Sequence, residues 1–294
     1  MQPFTGCGTA LVTPFRHDGS LDEAGVSSLA KRQIDAGIHF LVPCGTTGES
    51  PTLTEDERTR VVELVVEQAK GRVPVLAGAG GYNTQEVIHA AKRMRRAGAD
   101  GILSVTPYYN KPTQEGLYQH FRAIAESTRL PIILYNVPGR TGCNIDPATL
   151  VRLASIPNIA GVKEASGNMT QMCEVCRAVP PDFQVLSGDD ALALPLMAVG
   201  GRGLISVASN IVPDRMARMI NLALAGNFAA AREEHTVLLP LMLVNFIESN
   251  PIPVKAALAI LGLVDEVYRL PMVPPSDASR TKIRQALADL GMLD

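Results

Sequence analysis

Ile159-Ala160-Gly161-Val162-Lys163-Glu164-Ala165-Ser166-Gly167-Asn168 holds the plan of the chain in miniature. An apolar run closes on a lysine, a turn of small residues comes next, and Asn168 with Gln171 three positions on gives a helix-start signature. The stretch predicts a buried strand that carries one ammonium to its C-terminal tip and then turns into a helix. Of the seven lysines, Lys31, Lys70, Lys92, Lys111, Lys255 and Lys282 fall in helical or loop patterns. Lys163 alone closes an apolar strand.

The same unit recurs along the chain. Gly8–Thr13, His39–Pro43, Val73–Gly78, Gly101–Val105, Pro131–Asn136, Ile159–Lys163, Phe183–Leu186 and Gly203–Val207 read as eight short strands. They are continuous apolar runs rather than alternating ones, as expected of parallel strands covered on both faces. The helical patterns between them carry punctuation. Ser20 with Glu23 and Thr54 with Glu57 form capping boxes, Asp146-Pro147 sets a cap before a first-turn proline, and Gly37, Gly71, Gly98 and Gly200 close helices. Eight strands alternating with helices predict an α/β fold of the (β/α)8 TIM-barrel type, whose chemistry sits on the loops after the strands.

Beyond residue 212 the strand signal stops, and Pro213–Ala225, Phe228–Ile247, Val254–Leu263 and Ser276–Leu290 have helical periodicity. The first is expected to be the barrel's eighth helix and the other three a C-terminal appendage, dividing the chain into 1–225 and 226–294.

Bulk properties narrow the class of function. At 294 residues, 46% hydrophobic and 19% charged, the composition is that of an ordinary globular protein with a sizeable core. A net charge of −2 with the signs interspersed points to neither nucleic acid nor a membrane surface. There is no apolar run of membrane-span length and no basic region leading into an apolar stretch at the N-terminus, so a cytoplasmic protein is expected. Cys173 and Cys176 form a lone C-x-x-C in a helical pattern. They read as inert helix cysteines, because structural zinc needs four ligands. The five histidines show no metal-binding spacing, so no metal is expected.

In a barrel, the chemistry is decided by the residues just past each strand. After the second comes Gly45-Thr46-Thr47-Gly48-Glu49, a tight turn whose amides suit a carboxylate or phosphate, although a plain strand-to-helix turn has the same spacing. After the fourth comes Thr106-Pro107-Tyr108-Tyr109-Asn110, in a chain only 4% aromatic; one of the two tyrosines reads as a packing or oligomer contact. The fifth strand ends at Tyr135, whose hydroxyl is placed to relay a proton, and runs on to Arg140. That guanidinium suits a bidentate clamp on a carboxylate, though taken alone it reads as a surface charge. Ser187-Gly188-Asp189-Asp190 and Gly203-Leu204-Ile205-Ser206-Val207 supply small residues around the lysine. Gly200-Gly201-Arg202-Gly203 is a meagre candidate for a phosphate loop.

A lysine inside a barrel tip must be paired or neutral. A neutral amine is a nucleophile whose natural partner is a carbonyl, giving a Schiff base. The competing reading, a Lys163–Glu164 surface pair, is disfavoured because adjacent strand residues face opposite ways.

Gly45-Thr46-Thr47-Gly48-Glu49, Tyr108-Tyr109-Asn110-Lys111-Pro112, Tyr135 through Gly142 and Gly161-Val162-Lys163-Glu164-Ala165 occur in that order. With them, the chain resembles the dihydrodipicolinate synthase (4-hydroxy-tetrahydrodipicolinate synthase) family of class I aldolases, over essentially its whole length, Asn250-Pro251-Ile252-Pro253-Val254-Lys255 included. The resemblance implies that Lys163 attacks pyruvate and that the enamine adds to L-aspartate-4-semialdehyde, on the route to diaminopimelate and lysine. It implies that Thr47 holds the pyruvate carboxylate, that Tyr135 exchanges protons in relay with Thr46 and with Tyr109 of a neighbouring subunit, and that Arg140 receives the semialdehyde carboxylate. The Ile205 backbone and Gly188 would complete the pyruvate site. A homotetramer of tight dimers is implied, with no cofactor. N-acetylneuraminate lyase and 2-keto-3-deoxy sugar-acid aldolases share the scaffold and the lysine; Arg140 after Pro138-Gly139 fits a small carboxylated aldehyde better than a polyol.

The resemblance also carries a departure. Lysine-inhibited members have histidines after the Gly-Thr-Thr-Gly-Glu turn and an asparagine after the third strand. Glu55, Arg58 and Tyr82 stand at the matching positions here, while Ser50, Glu86 and Tyr108 fit. Weak or absent feedback by lysine is the expectation.

Overall fold

A computed structural model describes residues 4–293. Strands β1 (Gly6–Ala10), β2 (Phe40–Val42), β3 (Leu76–Gly78), β4 (Gly101–Val105), β5 (Ile132–Asn136), β6 (Ile159–Glu164), β7 (Gln184–Ser187) and β8 (Gly203–Ser206) pair in parallel. Around them lie α1 (Glu23–Asp35), α2 (Glu55–Ala69), α3 (Thr84–Arg96), α4 (Gln114–Ser127), α5 (Pro138–Thr141), α6 (Pro147–Ala154), α7 (Met169–Ala178), α8 (Ala193–Ala198) and α9 (Pro213–Leu224). The chain ends with α10 (Phe228–Val244), α11 (Ile252–Ile260) and α12 (Asp277–Asp289). Each strand pairs with its neighbours in sequence, β1 pairs with β8, and a parallel bridge between Leu41 and Val75 closes the ring between β2 and β3. This is the expected TIM barrel.

Two apolar clusters explain why the strands read as unbroken apolar runs. Phe40, Val42, Leu76, Leu103, Ile133, Tyr135, Leu186 and Ile205 fill the barrel interior. Leu41, Ala77, Ile102, Ile132, Leu134, Val162, Val185 and Leu204 face the helical layer. Alternation is therefore present in space, but both faces are apolar, so it does not show in composition.

The boundaries differ where side chains replace the ladder. β1 begins two residues before the expected Gly8 and stops at Ala10. Beyond Leu11, the amide of Val12 donates to Asn210 Oδ1 (3.1 Å) and Thr13 Oγ1 donates to the Gly48 carbonyl (2.8 Å), so the chain leaves the sheet at that point. α11 starts at Ile252, ahead of the expected Val254, since Pro251 and Pro253 can sit in a first turn whose amides have no partner anyway. The one-turn α5, which carries Arg140, has no helical signature in the sequence. No helix among the described residues is long and apolar enough to cross a membrane.

Candidate active site

The C-terminal tips of the strands surround a cavity of ≈ 180 Å³ lined by Thr46, Thr47, Tyr135, Arg140, Lys163 and Gly188, together with Phe246 and Asn250. Residues far apart in the chain thus meet because most of them sit on, or just beyond, the ends of different strands.

Lys163 is the penultimate residue of β6, in register with Tyr135 on β5 and Leu186 on β7. Strand parity turns Lys163 into the barrel and Glu164 out toward the helices. Lys163 is 5% exposed, its Nζ lies 4.2 Å from the centroid of the Tyr135 ring, and among the described residues it makes no ion pair or hydrogen bond. A buried amine resting on an aromatic face and lining an open cavity is placed where a carbonyl carbon can reach it.

Glu164 goes elsewhere. Its carboxylate accepts from Asn136 Nδ2 (3.0 Å), Gln171 Nε2 (3.3 Å) and the Ser166 amide (2.7 Å). Asn144 extends this network to both Asn136 and Gln171. The tips of β5 and β6 are therefore tied together on the outer side while Tyr135 and Lys163 meet on the inner side. The Lys163–Glu164 surface pair does not exist.

Gly188 makes room for the lysine stem: a Cβ there would lie 2.6 Å from Ala165 Cβ and 3.0 Å from Lys163 Cε. Opposite, Thr47 is buried and its Oγ1 accepts from Asn250 Nδ2 (2.9 Å). Arg140 is exposed at the cavity rim, and its Nη2 donates to the Asn250 carbonyl (3.3 Å). Asn250 thus touches both sides of the site, and Phe246 forms part of the mouth. Neither stands out in the sequence as a site residue. The only signal is the proline-dense Asn250–Lys255 segment interrupting helical pattern.

Two expected residues lie outside this cavity. Ile205 is fully buried in the barrel's inner cluster, and β8's end is represented in the lining by Val207. Tyr109 has a left-handed backbone (φ 65°), is 90% exposed and takes no part in lining its own chain's lysine cavity. Its neighbour Tyr108 packs edge-on against Tyr82, with ring centroids 5.1 Å apart. Tyr108, Tyr82, Glu55, Arg58 and Glu86 line a separate cavity of ≈ 230 Å³.

Behind the cavity floor, Asp190 is fully buried. Its carboxyl accepts from Ser206 Oγ and from the amides of Val207 (3.0 Å) and Ala208 (3.2 Å), while burial pushes its pKa up from the usual carboxylate range. Among the described residues no cluster of three or more His, Cys, Asp or Glu side chains is arranged to hold a metal. All five cysteines are free, and burial pushes the Cys176 thiol up to about 11 and that of Cys44 to about 12, which makes both poor thiolates near neutral pH.

A closed parallel barrel with a buried lysine at its sixth strand tip has the form of a Schiff-base barrel enzyme. Comparison with known proteins narrows this. The sequence pattern of the dihydrodipicolinate synthetase family matches residues 3–290. A 4-hydroxy-tetrahydrodipicolinate synthase of Koribacter versatilis is 56% identical, over 98% of this chain and 96% of its own length. Dihydrodipicolinate synthase of Aquifex aeolicus superposes with a TM-score of 0.96 at 44% identity, covering 98% of this chain and 99% of its own. The chloride-inhibited dihydrodipicolinate synthase of Acinetobacter baumannii, solved in complex with pyruvate, superposes with a TM-score of 0.97 at 44% identity, over 98% and 99% of the two chains. The chain belongs to the dihydrodipicolinate synthetase family.

Proposed function

We propose that this protein condenses pyruvate with L-aspartate-4-semialdehyde to give 4-hydroxy-tetrahydrodipicolinate, a lyase-class step toward diaminopimelate and lysine, in the cytoplasm. The observation that carries the reading is Lys163: an inward, unpaired amine at a strand tip, 4.2 Å from the Tyr135 ring, on the same cavity as Thr46, Thr47 and Arg140.

Nζ adds to the ketone carbon of pyruvate, and water leaves to give an iminium. Loss of a methyl proton gives the enamine, whose carbon bonds to the aldehyde carbon of the second substrate, and the new alkoxide takes up a proton. The amino group of the former semialdehyde then attacks the iminium carbon, closing the ring and freeing Lys163. Tyr135 and Thr46 carry the protons, with Tyr109 reaching in from a neighbouring subunit; its exposure at 90% supports a role away from its own chain's site. Thr47, Gly188 and the Ile205 backbone hold the pyruvate end, and Arg140 receives the semialdehyde carboxylate. A homotetramer built from tight dimers supplies the partner's tyrosine. We assign residues 1–225 to the catalytic unit and 226–294 to a helical unit packed on it; the contacts of Asn250 with Thr47 and Arg140 support that packing.

The test is substrate choice. Supplied with pyruvate, the protein should turn over L-aspartate-4-semialdehyde at least about a hundredfold better, by kcat/KM, than N-acetylmannosamine, about 3 kcal/mol of discrimination. A preference for the sugar would assign the site to the sugar-acid branch instead.

A further inference from the structure

We propose that the buried ion pair between Glu49 and Lys255 is a positioning device for the Thr46–Thr47 turn, through which α11 sets the pyruvate end of the site. This rests on the pyruvate-condensing function proposed for the same cavity.

Glu49 directly follows Gly45-Thr46-Thr47-Gly48 and takes a left-handed backbone (φ 51°, ψ 35°). Its amide donates to the Thr46 carbonyl (3.1 Å), so the residue closes the turn. Its side chain, 1% exposed, runs away from the cavity to meet Lys255 of α11, 0% exposed, whose Nζ donates to Glu49 Oε1. The other groups around the ammonium complete a fixed shell. Nζ also donates to the Val267 carbonyl (2.9 Å) and stands 4.3 Å from the Phe15 ring centroid, and Glu49 Oε2 accepts from the Arg269 amide (3.3 Å).

Two buried charges are an expensive way to join a helix to a barrel, and an apolar pair of similar volume often serves stability equally well. What a charge pair adds is direction. Here it acts on one side of the turn while Asn250, just ahead of α11, donates to Thr47 Oγ1 from the other. Thr13 Oγ1 pins the Gly48 carbonyl between them (2.8 Å). The turn that carries the two hydroxyls is thus fixed on several sides, whereas Arg140, on a different loop, bonds the Asn250 backbone carbonyl and makes no bond to Glu49 or Lys255.

That asymmetry supplies the readout. The double variant Glu49→Leu/Lys255→Met replaces the charge pair with apolar side chains of similar volume, and circular dichroism certifies its fold before kinetics are read. The pyruvate KM should rise about tenfold and the rate of borohydride trapping by pyruvate should fall about 10–100-fold, as for a reacting group displaced by a fraction of an ångström. The KM for the semialdehyde should stay within about twofold, because Arg140 bonds the Asn250 backbone carbonyl and neither of the exchanged side chains. General loosening would move both KM values together, and that result, or wild-type pyruvate kinetics in the folded double variant, overturns the proposal. Should the double variant fail to fold, Glu49→Asp decides by the same criterion, since it keeps the charge but shortens the reach. The wild-type protein run alongside separates the two claims: absence of trapping there would defeat the functional reading itself.

Discussion

Gly188 offers a direct probe of how tightly the site is built. Replacing it by alanine puts a methyl carbon 2.6 Å from Ala165 Cβ, 3.0 Å from Lys163 Cε and 3.2 Å from Lys163 Cγ. Carbon atoms prefer about 3.5–4.0 Å, so close to 1 Å of relief is needed at Ala165 and about half that along the lysine stem. Ala165 cannot easily supply it, since its amide donates to the Asn136 carbonyl (2.9 Å), and the Gly188 amide is itself tied to the Glu164 carbonyl (2.8 Å). Relief therefore needs a shift between the β6 and β7 tips as well as a displaced lysine stem. Overpacking of this kind costs about 1–3 kcal/mol, or about 2–5 °C in Tm for a chain of this size. The catalytic cost should be larger: shifting Nζ by several tenths of an ångström lowers kcat/KM for pyruvate about 10–100-fold. Gly139→Ala is the control, because a Cβ there meets nothing within 4 Å. Steady-state turnover and thermal melts on the two variants, with circular dichroism to certify folding, make the measurement. A folded Gly188→Ala protein whose kcat/KM stays within about twofold of wild type would refute this account of the lysine's packing.

Burial pushes the His120 pKa from 6.5 down to about 4, so His120 stays neutral in the fold while the unfolded chain binds its proton. Stability from this site is complete above about pH 6.5 and is lost as pH falls toward 4, by at most about 3 kcal/mol. His120→Gln should flatten the acid limb of a urea-unfolding series, and an unchanged limb would contradict this. Arg140→Lys keeps the charge but loses the planar fork, so the semialdehyde KM should rise at least about tenfold while pyruvate trapping holds within about threefold. Equal loss of both would move Arg140 to the pyruvate end. Glu55, at a position where lysine-inhibited relatives have histidine, faces Arg93 (3.4 Å). Lysine in a steady-state assay should inhibit only above the millimolar range, and a sub-millimolar inhibition constant would show that the substituted cavity still reads it.

The parts of this protein legible in its sequence are those set by local pattern. Ile132–Asn136 and Ile159–Glu164 read as strands because a parallel strand packed on both faces leaves an unbroken apolar run. Lys163 stands out because it violates that run. What stays hidden depends on contacts between distant residues. Glu49 and Lys255 are 206 positions apart, and neither looks unlike an ordinary surface charge until α11 brings them together. Asn250 bonding Thr47 is a contact of the same kind, across 203 positions. The end of β1 falls short of the expected Thr13 because Asn210 and Gly48, not a neighbouring strand, take up the bonds of Val12 and Thr13. Arg140 read alone is a surface charge, and its place on the cavity rim comes from a one-turn helix that a Pro-Gly sequence does not advertise.

Everything proposed for the site depends on Lys163 capturing pyruvate as a Schiff base. Incubating the protein with pyruvate, reducing with borohydride and mapping the peptides by mass spectrometry tests it most directly. One reduced pyruvyl adduct per chain is expected, on Lys163, abolished in Lys163→Ala. No adduct, or an adduct on any of the other lysines that survives Lys163→Ala, would contradict it.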